Sequence, residues 1–352
     1  MTQSQTTARS LADLVAAGAL PPRALEDPTL QRVANAYAIA LTPEVLGLMR
    51  GMPDDDPVAR QYLPTAAEAA ITPDELADPI GDEAHAPVKG IVHRYPDRVL
   101  LKPLHACPVY CRFCFRREQV GPGGAALDDD ELEAALAYVA ARPAIWEVIV
   151  TGGDPFMLAP RRLARIVAAL DAMAHVAVIR FHTRVPVADS ARVNAALVGA
   201  LKATRATVYV GVHCNHAREL TPAACAALAR LADAGFPLLS QSVLLRGVND
   251  SVEALEALFR ALVAARVRPY YLHHPDLARG TAHFRLPIEE GQALMRGLRG
   301  RLSGLCLPTY VLDIPGGHGK SPVGPSYLGA ADASGRRKVT DFRGGLHDYR
   351  ES

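Results

Sequence analysis

From Arg98 to Asp313, short β-branched runs alternate with amphipathic segments, and no other feature limits the fold of this chain so strongly. The runs are Val99–Leu104, Glu147–Thr151, Ala177–His182, Thr207–His213, Leu238–Leu245 and Arg268–His273. Helical periodicity fills the intervals, near Asp129–Ala141, Pro160–Ala172, Ser190–Ala203, Thr221–Ala234 and Ser251–Ala265. A last helix near Ile288–Leu302 leads to one more run, Thr309–Asp313. Repeated strand–helix units make right-handed crossovers and hence a parallel sheet. Six units are too few for a closed eight-stranded barrel, so the expected class is α/β, an open partial (β/α)6 barrel. A flat doubly wound sheet is the alternative, but no Gly-x-Gly-x-x-Gly follows the first run to mark a dinucleotide site. With 352 residues, 49% of them apolar, there is enough core for one such domain with appendages.

The organisation expected around the barrel, residues 91–313, is a helical accessory region over 1–90 and a loop and tail over 314–352. In the first, Leu11–Ala17 and Leu30–Ala40 carry helical periodicity, and Thr42 with Pro43 reads as an N-cap followed by Pro at N1. Net charge is +1 without a basic run, which leaves no nucleic-acid footprint, and no apolar stretch approaches a membrane span.

The first barrel run leads directly into Cys107-Pro-Val-Tyr-Cys111-Arg-Phe-Cys114. Three thiolates can hold three irons of a [4Fe–4S] cube and leave the fourth iron open to a ligand. A zinc site, with His105 as a fourth ligand, and three incidental core thiols are the alternatives. Cys214, Cys225 and Cys306 lie in apolar surroundings, and six cysteines used this way fit a reducing cytoplasm. Polar residues recur where the runs end, at Thr151-Gly152-Gly153-Asp154, His182-Thr-Arg184, His213-Cys-Asn-His216 and His273-His-Pro-Asp276, and Gln241 lies within the fifth run. A barrel active site gathers its residues on that rim. The paired glycines, lacking Cβ atoms, suit a close approach of backbone to a ligand.

Near the C-terminus stands Asp313-Ile-Pro-Gly-Gly-His-Gly-Lys320. The chain has five lysines against 33 arginines, so a lysine in a glycine-rich loop is not background composition. A phosphate loop would need glycine where Ile314 stands. A covalent anchor for pyridoxal phosphate (PLP) is the sharper reading of Lys320, and a solvated loop lysine the plainer one.

The C-x3-C-x2-C spacing resembles the cluster motif of radical S-adenosylmethionine (SAM) enzymes. Together with Val92–Leu100, Gly152–Pro155, His213–His216, Gln241–Leu245 and Asp313–Lys320, it resembles the lysine 2,3-aminomutase family over about residues 70 to 330 in unbroken order. That resemblance implies a cluster on Cys107, Cys111 and Cys114, with Lys320 as the PLP lysine and Arg94, Tyr95 and Arg98 around its phosphate. It implies that Gly152, Gly153, Asp154, His213 and Gln241 surround SAM. Arg116 would pair with the substrate carboxylate, and Asp276 and Asp313 would bind the distal ammonium. The implied reaction moves the α-amino group of L-lysine to the β-carbon after a deoxyadenosyl radical takes a hydrogen atom there. A flavodoxin or ferredoxin would supply the electron, and a homo-oligomer is expected. Longer members carry a cysteine-rich C-terminal extension for zinc, whereas no cysteine follows Cys306 here. The length is that of short members serving elongation factor P, while Asp313-Ile-Pro-Gly-Gly resembles the free-lysine enzymes. Ornithine or arginine as substrate, and a non-catalytic iron–sulfur electron carrier or sensor, are the remaining readings.

Overall fold

A computed structural model describes residues 6–121 and 126–350. One nine-stranded sheet runs in chain order from β1 (Ile91–Tyr95) through β2 (Arg98–Leu104), β3 (Glu147–Gly152), β4 (Val178–Thr183), β5 (Thr207–His213) and β6 (Leu238–Val243). It continues with β7 (Val267–His273), β8 (Thr309–Asp313) and β9 (Lys320–Pro322). Every pair from β2 to β8 is parallel, as the alternation requires. The edge strands are antiparallel: β1 folds back on β2, and β9 on β8, where Lys320 lies opposite Asp313. The two edges meet, because the backbone N–H of Lys320 donates to the Tyr95 hydroxyl at 2.7 Å. The sheet therefore curls into a partial barrel, and the flat alternative is set aside.

Helices cover the outside. Asp129–Ala140 starts on a reciprocal capping box between Asp128 and Glu131, while Thr221 and Ser251 cap Pro222–Asp233 and Val252–Ala264. Pro160–Asp171 turns Leu163, Ile166, Val167 and Leu170 inward, a stripe at helical spacing. These residues join Val148, Val150, Ile179, Val210 and Leu258 in one continuous core.

Three expectations need correction. The helix expected over Ser190–Ala203 is only Ala195–Ala200. Asn194 caps it, and Arg230 draws the Ser190 and Val193 carbonyls into a separate turn. β6 ends at Val243 rather than Leu245, because the Asn249 side chain takes over the Val243 carbonyl and the Leu245 N–H. The helix expected over Leu30–Ala40 ends at Ala36, and Ala40 instead accepts the N–H of Tyr110 in the cysteine segment. The tail also carries a small antiparallel sheet, β10 (Leu328–Ala331), β11 (Arg336–Thr340) and β12 (Leu346–Arg350), that the periodicity did not suggest.

Residues 6–90 are wrapped into the barrel rather than appended to it. Leu14, Leu41, Val58, Tyr62 and Leu63 form a second core with Val109 and Ala188 of the barrel. Among the described residues no helix is long and apolar enough to cross a membrane.

Candidate active site

The barrel encloses a cavity of about 550 Å³. Cys107, Cys111, Cys114, Arg116, His213, Gln241, Asp276, Asp313 and Lys320 all line it, as do Arg94, Tyr95, Arg98, Gly152, Gly153 and Asp154. The topology thus gathers around one space every residue to which the family resemblance gives a role, while His105, His216 and His274 are not among its lining; Glu68 and Asp82, outside that set, shape it from behind.

The three cysteines are free thiols. Desolvation raises all three, Cys111 to about 12 despite the opposing charge of Arg184, so metal binding is what would deprotonate them. Three free thiols on one loop facing the cavity fit a cube, where each thiolate takes its own iron. Their loop is clamped from residues 6–90. Arg112, 2% exposed, makes Nε and Nη2 bonds of 2.7–3.1 Å to Glu68 and donates from Nη1 to the Ala38 carbonyl. Arg117 shares the same carboxylate. Glu68 is held below the usual carboxylate range, because Arg112 and Arg117 outweigh the upward push of burial.

The glycine pair at the end of β3 lines the cavity and also packs against backbone. A Cβ on Gly153 would lie 2.4 Å from the Ala106 carbonyl oxygen, and one on Gly152 2.7 Å from that of Leu104. On that side the close approach is to the chain entering the cysteine loop. Asp154 is likewise committed to protein: it accepts from Thr183 Oγ1 and the N–H groups of Phe156, Arg184 and Val185 at 2.7–3.1 Å. Its carboxylate braces the turn after β4. His213 and His182 stand edge to face, both held neutral by burial, His213 down to about 3. Gln241 Nε2 lies 3.3 Å from His182 Nε2.

At the opposite wall, Lys320 Nζ is 2.5 Å from Asp313 Oδ1, and His273 Nδ1 is 3.4 Å from Asp313 Oδ2. Burial pushes Asp313 up, but its bonds to His273 and Lys320 prevail and keep it ionised. Asp276 goes the other way, to about 7, through desolvation and the nearby charge of Asp313. Its Oδ1 is shut off from solvent without a partner. The Lys320 loop holds Gly316, Gly317 and Gly319 at positive φ. Those glycines serve the turn and close packing, since Gly317 and Gly319 face His85 and the Tyr95 hydroxyl at under 3 Å from an added Cβ. The Arg98 guanidinium stacks on the Tyr95 ring at 3.8 Å. Arg94 instead turns to the Ile80 carbonyl and Asp82, at 2.6 and 3.4 Å, which groups it with Arg116. A primary amine, guanidinium groups and a phenol around this space fit an anionic pyridine aldehyde such as PLP.

Residues 101–259 match the model of the Radical SAM superfamily, and residues 295–352 match that of Lysine-2,3-aminomutase. The chain is 38% identical over 326 residues to the L-lysine 2,3-aminomutase of Clostridium subterminale, covering 93% of this chain and 78% of that protein. With the L-lysine 2,3-aminomutase of Fusobacterium nucleatum it shares 39% over 320 residues, 91% and 75% of the two chains. The glutamate 2,3-aminomutase of Clostridioides difficile is 34% identical over 305 residues, 86% and 71%. Partial barrel and thiol triplet together define a radical SAM enzyme. A zinc knuckle and a bare electron carrier are thereby set aside. Within that class the chain belongs to the lysine 2,3-aminomutase family, isomerases that use a [4Fe–4S] cluster, SAM and PLP.

Proposed function

We propose that this chain converts L-lysine to β-lysine by moving the α-amino group to the β-carbon. The observation that carries this reading is the carboxylate pair, Asp313 ionised beside Asp276 with an unpartnered oxygen, in a wall of the cavity. Two carboxyl groups in one wall attract a cationic side chain and repel an anionic one, so the distal ammonium of lysine suits them and the distal carboxylate of glutamate does not. In the proposed roles, Cys107, Cys111 and Cys114 hold the cluster. His213 and Gln241 face SAM, with Gly152, Gly153 and Asp154 shaping that wall. Lys320 is the covalent anchor of PLP, and Tyr95 and Arg98, with Arg94 behind them, take its phosphate. Arg116 pairs with the substrate carboxylate. When bound, cluster and SAM supply a carbon-centred radical, and PLP supplies a conjugated system for the nitrogen shift. The protein orients the lysine by its two charged ends and keeps water out. Lys320 occupies Asp313 in this state, so committing the lysine amine elsewhere would free that carboxylate for a substrate cation.

Anaerobic reconstitution with iron, sulfide, SAM, PLP and dithionite, followed by product analysis over lysine, ornithine, arginine, glutamate and norleucine, tests this. β-Lysine is the expected product. Turnover of glutamate without lysine would overturn the reading, and preference for ornithine or arginine would keep the cation site and change the substrate.

A further inference from the structure

Asp82 lies in the loop-rich stretch before the barrel and is 1% exposed. Three cations converge on it from three parts of the chain. Arg116 donates from Nε at 2.9 Å to Asp82 Oδ2 and holds Nη2 2.8 Å from the same oxygen, while Lys102 Nζ and Arg94 Nη2 each lie 3.4 Å from the carboxylate. A guanidinium has two forks of parallel N–H bonds, one made by Nε with one Nη and one made by both Nη atoms. One oxygen of Asp82, Oδ2, sits across the first fork of Arg116 and leaves the second, with Nη1, for a second carboxylate. Arg116 lines the cavity; Asp82 and Lys102 stand behind it. The stacking of Arg116 on Phe115, at 4.3 Å from guanidinium carbon to ring centre, fixes the plane of that fork. Asp82 is itself held in place: its N–H donates to Asp78 at 2.9 Å. The neighbouring Gly81 packs so tightly on the Lys320 loop that an added Cβ would lie 2.6 Å from Gly316 and Gly317 backbone.

We propose that Asp82 is a positioning residue that aims the free fork of Arg116 at the substrate carboxylate. This rests on the reading of Arg116 as the carboxylate-binding residue. Of the three cations, Arg94 and Arg116 line the cavity, where they suit the anionic groups of substrate and cofactor. A structural ion pair alone would not need a carboxylate held on the side of the guanidinium away from the cavity.

The test measures apparent Kd by equilibrium dialysis on the full-length chain loaded with cluster and PLP and left unreduced, so that nothing turns over. Ligands are lysine and lysinamide, which keeps both amines and lacks the carboxylate. The Asp82→Asn variant should weaken lysine binding by about tenfold or more and lysinamide binding by less than about twofold, with iron content unchanged. Asp82→Glu, which keeps the charge and moves it by a methylene, should show the same selective loss and covers the case in which Asp82→Asn does not fold. In an Arg116→Lys background the Asp82→Asn change should add almost nothing, because the two act as one unit. Equal losses for both ligands, an unchanged lysine Kd, or additive effects would overturn the proposal. If Arg116→Lys alone leaves lysine binding unchanged, the reading of Arg116 fails first and takes the proposal with it.

Discussion

Asp276 is where burial turns into a measurable pH dependence. Desolvation, with Asp313 nearby, sets its carboxyl to about 7, so below that pH the proton must leave before a cation gains a full partner. Affinity for lysine should therefore rise from pH 6 to pH 8 and level off, with kcat/KM following by up to about tenfold per unit below the inflection. Asp276→Asn should abolish that inflection and lower kcat/KM for lysine by roughly 30-fold to several thousandfold, the range for losing a buried charge partner. Norleucine, which lacks the ammonium, should lose little. An unchanged pH profile in the variant would assign the titration to another group. Residues of this kind were readable in the sequence because their chemistry is distinctive: three spaced thiols, a lysine in a chain rich in arginine, aspartates at strand ends. Asp82 and Glu68 were not, because a single acid in an aperiodic stretch does not reveal that arginines some 34 to 49 residues later converge on it.

The element that depends most on its neighbours is the cysteine loop, held between the end of β3 and Glu68. Gly153→Ala would press a methyl into the Ala106 backbone, where no flexible side chain can give way. Overpacking of that sort costs about 1–3 kcal/mol, and here the strain falls on the segment leading to Cys107. The variant should fold with its cluster content reduced, read as iron per chain after reconstitution; full iron content would mean that the loop has slack. Glu68→Gln removes the charge shared by Arg112 and Arg117, both almost wholly buried. Breaking a buried pair on one side costs about 3–5 kcal/mol, so thermal unfolding should begin clearly lower even before the cluster is added. A transition unchanged within error would show that solvent reaches those arginines. At this scale the parallel strands were plain from their length and β-branched composition. The antiparallel edges were not: β9 is three residues long, too short for any period, and β1 lay inside a motif read for its phosphate ligands.

For the molecule as a whole, the question is whether residues 6–63 are an appendage or part of the enzyme's frame. Their helical periodicity and the lack of a chemical motif mark them as accessory in the sequence. Yet Tyr62 donates to Glu219 at 2.9 Å and accepts from Arg184 at 2.7 Å, inside a buried network that ends beside the cysteine loop. Gln61 donates to Glu219 and accepts from Asn215, and its carbonyl takes the N–H of Arg112. Val109, between two of the cysteines, has its apolar neighbours in this region. Deleting residues 1–63 would strip that cover from Val109 and Ala188 and leave buried polar groups without partners, each worth about 1–3 kcal/mol. The truncated chain should therefore be aggregation-prone and fail to retain iron, as size-exclusion chromatography and an iron assay would register. Tyr62→Phe is the milder companion: losing one hydroxyl between Arg184 and Glu219 should cost about 1–3 kcal/mol of stability and leave iron content intact. A monodisperse truncated chain with a full cluster would mean the barrel stands alone, and the contacts from residues 6–63 would then be packing without consequence for the site.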